Sequence, residues 1–133
     1  MANFYPPGFE HEKKNLAIDF DGVIHDADKG WGDGTCYGEP LPGALEALKQ
    51  LSEQYTIIVF TAKVRTDRPL VNGKTGAMLV SEWLEKYNVA QYVSSVTSDK
   101  PRADLYIDDN GYRFENWNDT LSFIEKLWDQ NIE

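Results

Sequence analysis

The sequence is short of cysteine, of basic residues and of long apolar runs. Cys36 is the only cysteine, which excludes an intramolecular disulfide framework. Lys and Arg number 13 against 22 Asp and Glu, a formal net charge of −9. That balance argues against a nucleic-acid scaffold, whose footprint is a basic face, though a nucleotide or phosphate ester held through a metal stays compatible with it. No run of about 18 apolar residues occurs, so no membrane span is expected. Residues 1–15 have no apolar core behind their charges and do not read as a signal peptide, which leads to the expectation of a cytoplasmic location. No repeat, low-complexity tract or linker divides the chain.

What is present suits one α/β domain over residues 1–133. A chain of this length buries roughly two-thirds of the surface its unfolded form exposes, and its 41% hydrophobic and 26% charged residues are an ordinary balance. The segment 16–20 (Leu-Ala-Ile-Asp-Phe) is apolar on successive residues, the pattern of a strand buried on both faces. Gly22 breaks it. Residues 22–40 hold five glycines and no period, and read as an extended flap loop folded into a small hairpin. Pro42 suits the first turn of a helix, and Leu45, Leu48 and Leu51 follow at helical spacing. Residues 55–60 (Tyr-Thr-Ile-Ile-Val-Phe) form a second strand, and 61–74, with Pro69 and Asn72-Gly73, a loop. A second helix is expected over 75–87, with Ala77, Val80, Leu84 and Tyr87 on one face. Short strands are expected over 92–96 and 104–107. A last helix capped by Asn118 carries Leu121, Ile124, Leu127 and Trp128.

Strands alternating with helices give βαβ units and a mostly parallel sheet. In such sheets ligands bind beyond the carboxyl ends of the strands, where strand order reverses. The first strand ends in Asp19-Phe20-Asp21, the second runs into Thr61, and the fourth follows Lys100-Pro101 and runs into Asp108-Asp109. Four carboxylates on one rim repel one another unless a cation is bound. A hard divalent ion with oxygen ligands answers that need, and Mg²⁺ commonly uses one or two carboxylates and leaves its other positions to water and phosphate. Of two acids at i and i+2, one can attack phosphorus while the other handles the proton of the leaving alcohol. Thr61 can donate to a phosphoryl oxygen, and Lys100 can neutralise charge on nucleophile and phosphoryl group.

Asp19-Phe20-Asp21-Gly22-Val23 resembles the first motif of the haloacid dehalogenase superfamily, Asp-x-Asp-Gly-[Thr/Val]. Thr61 after an apolar strand looks like the second motif, Lys100 like the third, and Leu105-Tyr106-Ile107-Asp108-Asp109 like the fourth. The resemblance spans about residues 16 to 110. It implies a three-layer α/β/α Rossmann-like fold of that superfamily with a mostly parallel sheet. It also implies a Mg²⁺-dependent phosphatase that hydrolyses a phosphate monoester through an aspartyl phosphate. Asp19 would be nucleophile and metal ligand. Asp21 would be general acid and base, lending its carbonyl to Mg²⁺. Thr61 and Lys100 would bind the phosphoryl group, and Asp108 and Asp109 would hold the metal. An acid at the Asp21 position marks phosphatases and phosphotransferases in that superfamily, not dehalogenases.

About twenty residues separate Asp21 from Pro42, enough for a flap but not for a helical cap. The 39-residue step from Thr61 to Lys100 is filled by one helix and one strand. A capless site implies a large substrate, or a small phosphorylated molecule enclosed by a neighbouring subunit in an oligomer. The same residues would serve a phosphotransferase or mutase. A receiver-like phosphoacceptor domain also gathers Asp, Thr and Lys around Mg²⁺, but keeps its acid pair near the first strand, whereas here the pair follows the lysine.

Secondary candidates lie in the loops. His25, four residues past Asp21, could touch a leaving group, or be a loop histidine without a task. Arg65 and Arg68 could read a second anionic group, or form a solvated basic loop. Trp31 and Tyr37 could stack on a substrate ring, or pin the flap to the body. The glycines of the flap match neither Gly-x-Gly-x-x-Gly nor a Walker pattern and read as sources of flexibility. Cys36 has no basic neighbour in sequence and is a weak nucleophile candidate.

Overall fold

The computed structural model describes residues 13–100, 103–108 and 112–130. The side chains of 128–130, Trp128 among them, lie outside the described residues, as do residues 1–12, Pro101 and Asp109. Four strands form one all-parallel sheet: β1 (Lys14–Asp19), β2 (Tyr55–Phe60), β3 (Ser95–Thr97) and β4 (Leu105–Ile107), in the order β3-β2-β1-β4. Three α-helices accompany it: α1 (Ala44–Ser52), α2 (Gly76–Lys86) and α3 (Trp117–Gln130). Among the described residues no helix is long and apolar enough to cross a membrane.

The centre is β1. Leu16, Ala17 and Ile18 are each fully buried. Successive strand residues point to opposite faces, so both faces of this strand are covered. Tyr55, Ile57 and Val59 of β2 carry the core outward on one face. The register pairs Ile18 with Val59 on one side and with Ile107 on the other.

Helix α1 buries Ala44, Ala47, Leu48 and Leu51, the spacing of one helical face. It begins at Ala44, two residues after Pro42, because Gly43 takes a left-handed conformation (φ 83°) at the cap. Pro42 therefore precedes the helix instead of opening it. Helix α2 starts where the Thr75 hydroxyl accepts from the Met78 amide at 3.2 Å. Its buried residues are Val80, Trp83 and Leu84, while Ala77 is exposed. The apolar face is thus rotated towards Trp83. The helix ends at Lys86, and just beyond it Asn88 takes a left-handed conformation (φ 61°). The Val89 amide closes on the Leu84 carbonyl and the Asn88 amide on that of Glu85, each at 3.0 Å, a paired C-terminal closure with Val89 packed under it.

That stop moves the third strand. After Asn88 the chain winds through a 3₁₀ turn over Ala90–Tyr92 and joins the sheet only at Ser94, whose amide donates to Ile57 at 2.8 Å. The strand expected over 92–96 is therefore Ser95–Thr97. Helix α3 is capped by Asn116, not Asn118. The Asn116 side chain accepts from the Asp119 amide at 2.8 Å and donates to the Asp119 carboxylate at 2.9 Å. This choice places Trp117 in the core, 2% exposed, with its indole donating to the Val23 carbonyl at 3.0 Å.

Residues 20–43 contain no helix or strand of their own. They turn back through an antiparallel bridge between His25 and Pro40, with Asp26 donating to Glu39 and Leu41 to Ile24, both at 2.9 Å. The small hairpin expected there is present.

Gly76 sits where a side chain cannot: a Cβ there would overlap the Lys63 carbonyl. Gly76→Ala is expected to destabilise by about 1–3 kcal/mol, since backbone must move to make room. Asn116→Ala is expected to cost about 1 kcal/mol through the lost cap. Urea unfolding reads both, and an unchanged midpoint for Gly76→Ala would show that α2 does not depend on this close approach.

Candidate active site

Strand order reverses at β1. The chain moves outward from β1 to β2 and β3, then returns to place β4 on the other side. The carboxyl ends of β1 and β4 flank this reversal, the position at which open parallel sheets bind ligands. Asp19 ends β1. Ile18 and Ile107 are the last paired residues of these strands, so the next residues, Asp19 and Asp108, stand alongside one another. Asp19 is partly exposed and Asp108 is 6% exposed.

Past Asp19 the chain turns sharply. Phe20 still donates to Phe60 at 3.1 Å, and its carbonyl receives the amides of Ile24 (3.0 Å) and His25 (2.9 Å). Gly22, at φ 82°, permits the turn. Asp21 is swung inward. Its Oδ1 lies 3.1 Å from His25 Nδ1 and 3.4 Å from Lys63 Nζ, and its Oδ2 accepts from Thr61 Oγ1 at 3.0 Å. Burial works to raise the pKa of this carboxyl. The His25 hydrogen bond, the Lys63 charge and the Thr61 hydroxyl together outweigh it and hold the value below that of an ordinary aspartate. Asp21 is therefore a carboxylate at neutral pH.

Thr61, 4% exposed, caps a 3₁₀ turn over Ala62–Val64, its oxygen accepting from the Lys63 amide at 3.1 Å. Its one hydroxyl hydrogen goes to Asp21. To donate to a phosphoryl oxygen, the hydroxyl must turn away from that carboxylate. Lys100 reaches the Asp108 carboxylate at 2.7 Å and lies 4.6 Å from the Tyr106 ring centre. Asp109 lies outside the described residues.

Three side chains for which the sequence leaves two readings open have definite places. His25 is fully buried. Its Nε2 accepts from the Gly38 amide at 2.9 Å, so neither ring nitrogen is available to a leaving group. Arg65 is turned to Asp67, with contacts of 3.1 and 2.9 Å on an exposed loop. Arg68 stacks near Trp31, 4.5 Å from its ring centre, and reaches the Asp33 carbonyl at 3.5 Å. Trp31 thus pins the flap to the loop after β2. The flap is held at further points. Tyr37 donates to the Gly30 carbonyl at 2.7 Å, and Trp83 to that of Gly38 at 2.9 Å.

Lys63 is the functional candidate that sequence reasoning passed over. It is 1% exposed, contacts Asp21 and lies 4.4 Å from the Trp31 ring centre. In the sequence it is one of several cations after Thr61. Only the 3₁₀ turn, which folds residue 63 inward and leaves 65 outside, distinguishes it.

For a metal, the donor chemistry is all oxygen. Among the described residues there is no cluster of three or more His, Cys, Asp or Glu that could hold an ion. Asp19 and Asp108, which follow the last paired residues of neighbouring strands, fit the smaller demand of Mg²⁺, which takes one or two carboxylates and completes its shell with carbonyls, water and phosphate.

Cys36 is a poor nucleophile here. Burial raises its pKa, the Lys63 charge opposes this, and the Asp21 charge adds to it, leaving it at about 11. Alkylation by iodoacetamide is expected to be slow at pH 8, to keep rising beyond pH 9 as thiolate accumulates, and to become fast in denaturant. A rate that levels off below pH 9 in the folded protein would contradict this environment.

Comparison with family models, curated proteins and solved structures finds no match to the chain.

Proposed function

We propose that the chain is a Mg²⁺-dependent phosphatase of the haloacid dehalogenase type, with the three-layer, capless fold of that superfamily. It would hydrolyse a phosphate monoester, a small phosphorylated molecule in the first instance, through an aspartyl phosphate. The observation that carries the reading is the placement of Asp19 and Asp108 immediately after Ile18 and Ile107, the last paired residues of the two strands that flank the point where strand order reverses.

The chemistry follows from the residues. An Asp19 carboxylate oxygen attacks phosphorus, and the bond from phosphorus to the alcohol oxygen breaks. Asp21, after taking up a proton, delivers it to that departing oxygen. As a carboxylate again, it takes a proton from the water that attacks the acyl phosphate, which releases inorganic phosphate and restores Asp19. The resting state of Asp21, ionised by His25, Lys63 and Thr61, suits the second half of this cycle. Lys100, held against Asp108, places a positive charge beside the phosphoryl group, and Thr61 can offer its hydroxyl to it. Mg²⁺, held by Asp19, Asp108 and the Asp21 carbonyl, with Asp109 added by the resemblance, would offset the charge of the carboxylates and the phosphoryl oxygens.

The test is hydrolysis of a chromogenic phosphate ester by wild type and Asp19→Asn, with Mg²⁺ and with chelator. Release that requires Mg²⁺ and falls at least about 1000-fold in the variant is expected, with the variant's circular dichroism unchanged. Turnover that survives in Asp19→Asn, or is indifferent to chelator, would remove Asp19 or the metal from the reaction.

A further inference from the structure

The fully buried ring of His25 has no part in the proposed reaction, yet both its nitrogens are committed. Nε2 receives the Gly38 main-chain N–H at 2.9 Å. A main-chain amide can only donate, so Nε2 carries no hydrogen in this contact. The ring hydrogen therefore sits on Nδ1, which faces Asp21 Oδ1 at 3.1 Å. The flap backbone thus fixes the tautomer that donates to the carboxylate, since the partner of one imidazole nitrogen decides the state of the other.

The ring plane is fixed as well. His25 stacks on Phe20 with centres 5.1 Å apart and planes 4° from parallel. Trp83 and Tyr37 meet it edge-on, at 5.6 and 5.3 Å. Trp83 also binds the Gly38 carbonyl at 2.9 Å, so the residue that sets the tautomer is itself held in place. Gly38 has to be glycine, because a Cβ there would overlap the Asp26 carbonyl. A histidine that only filled core space would not need a tautomer set by one chain segment and read by an acid on another.

We infer that His25 is a positioning residue for Asp21. It holds the carboxylate in one orientation through an Nδ1–H donor whose state the flap imposes. The proposal uses the phosphatase reading only for what Asp21 does in turnover; the hold itself is a property of the free protein.

Two substitutions separate the ring's two contacts, because asparagine and glutamine side chains differ in reach. His25→Asn keeps an N–H near the Nδ1 position and loses the Gly38 contact, whereas His25→Gln keeps a polar atom near the Nε2 position and loses Asp21. Outer partners of this kind are typically worth about 10–100-fold. With the chromogenic ester and Mg²⁺, His25→Gln should lower kcat by about that factor with KM nearly unchanged, and His25→Asn should recover most of the loss. A purely structural role would make activity follow melting temperature. Wild-type kcat in His25→Gln, or His25→Asn no better than His25→Gln, would overturn the proposal.

A second measurement does not depend on turnover. Two-bond ¹H–¹⁵N spectra of the labelled wild type should show the Nδ1–H tautomer of His25, with a protected Nδ1 proton that is lost in Asp21→Ala. A ring protonated at Nε2 would overturn the proposal whatever the kinetics. If the wild type hydrolyses no ester but these spectra are as expected, the phosphatase reading fails and the hold on Asp21 stands.

Discussion

A carboxylate withdrawn from water is stable as an anion only when donors replace the water it loses. Asp21 meets that condition with three donors from two separate stretches of chain: His25 from the flap, and Thr61 and Lys63 from the end of β2. Much of the local architecture follows from the need to bring them together. The Gly22 turn points Asp21 inward and returns the chain so that residue 25 lies beneath it. The 3₁₀ turn after Thr61 folds Lys63 against the same group. Removing one member would leave a buried partner unmatched, which costs far more than an exposed ion pair contributes.

The flap is part of the same arrangement. Its glycines invite a reading as a mobile segment, yet its carbonyls are tied to the body by buried indoles, Trp83 to Gly38 and Trp117 to Val23. A buried indole N–H needs an acceptor, and here loop carbonyls supply it, so one contact satisfies both groups. Trp31 closes over Lys63 and beside Arg68. A cation so deeply placed gains from an aromatic face on one side and a carboxylate on the other. The glycines serve as left-handed turn positions and as points of close approach, as at Gly38.

On the other side of β1 the arrangement is simpler. Parallel register alone brings Asp19 and Asp108 level, and Lys100 answers the more buried of the two at 2.7 Å. Electrostatic demand is thus divided about the central strand. Asp21 is matched by donors from the flap and β2, and Asp108 by Lys100. Asp19 ends a strand whose residues 16–18 are wholly buried and which is paired on both sides.

The sequence by itself determined the alternation of strands and helices, the burial of β1 on both faces and the position of Asp19, Thr61 and Asp108 at strand ends. These are properties of periodicity and of short apolar runs, and they survive without knowledge of distant partners. It also carried the helix caps, but only to within two residues: Asn116 and Asn118 are equivalent as local signals, and burial of Trp117 decides between them. The tertiary structure alone decided which polar side chains meet. Lys63, Arg65 and Arg68 share one loop and one charge, yet one is buried against Asp21, one turns to Asp67 and one lies on Trp31. His25 reads as a loop residue until the hairpin returns Gly38 to its ring. Such contacts join residues far apart in sequence, and their geometry is set by how the flap packs on the sheet, which no local pattern encodes.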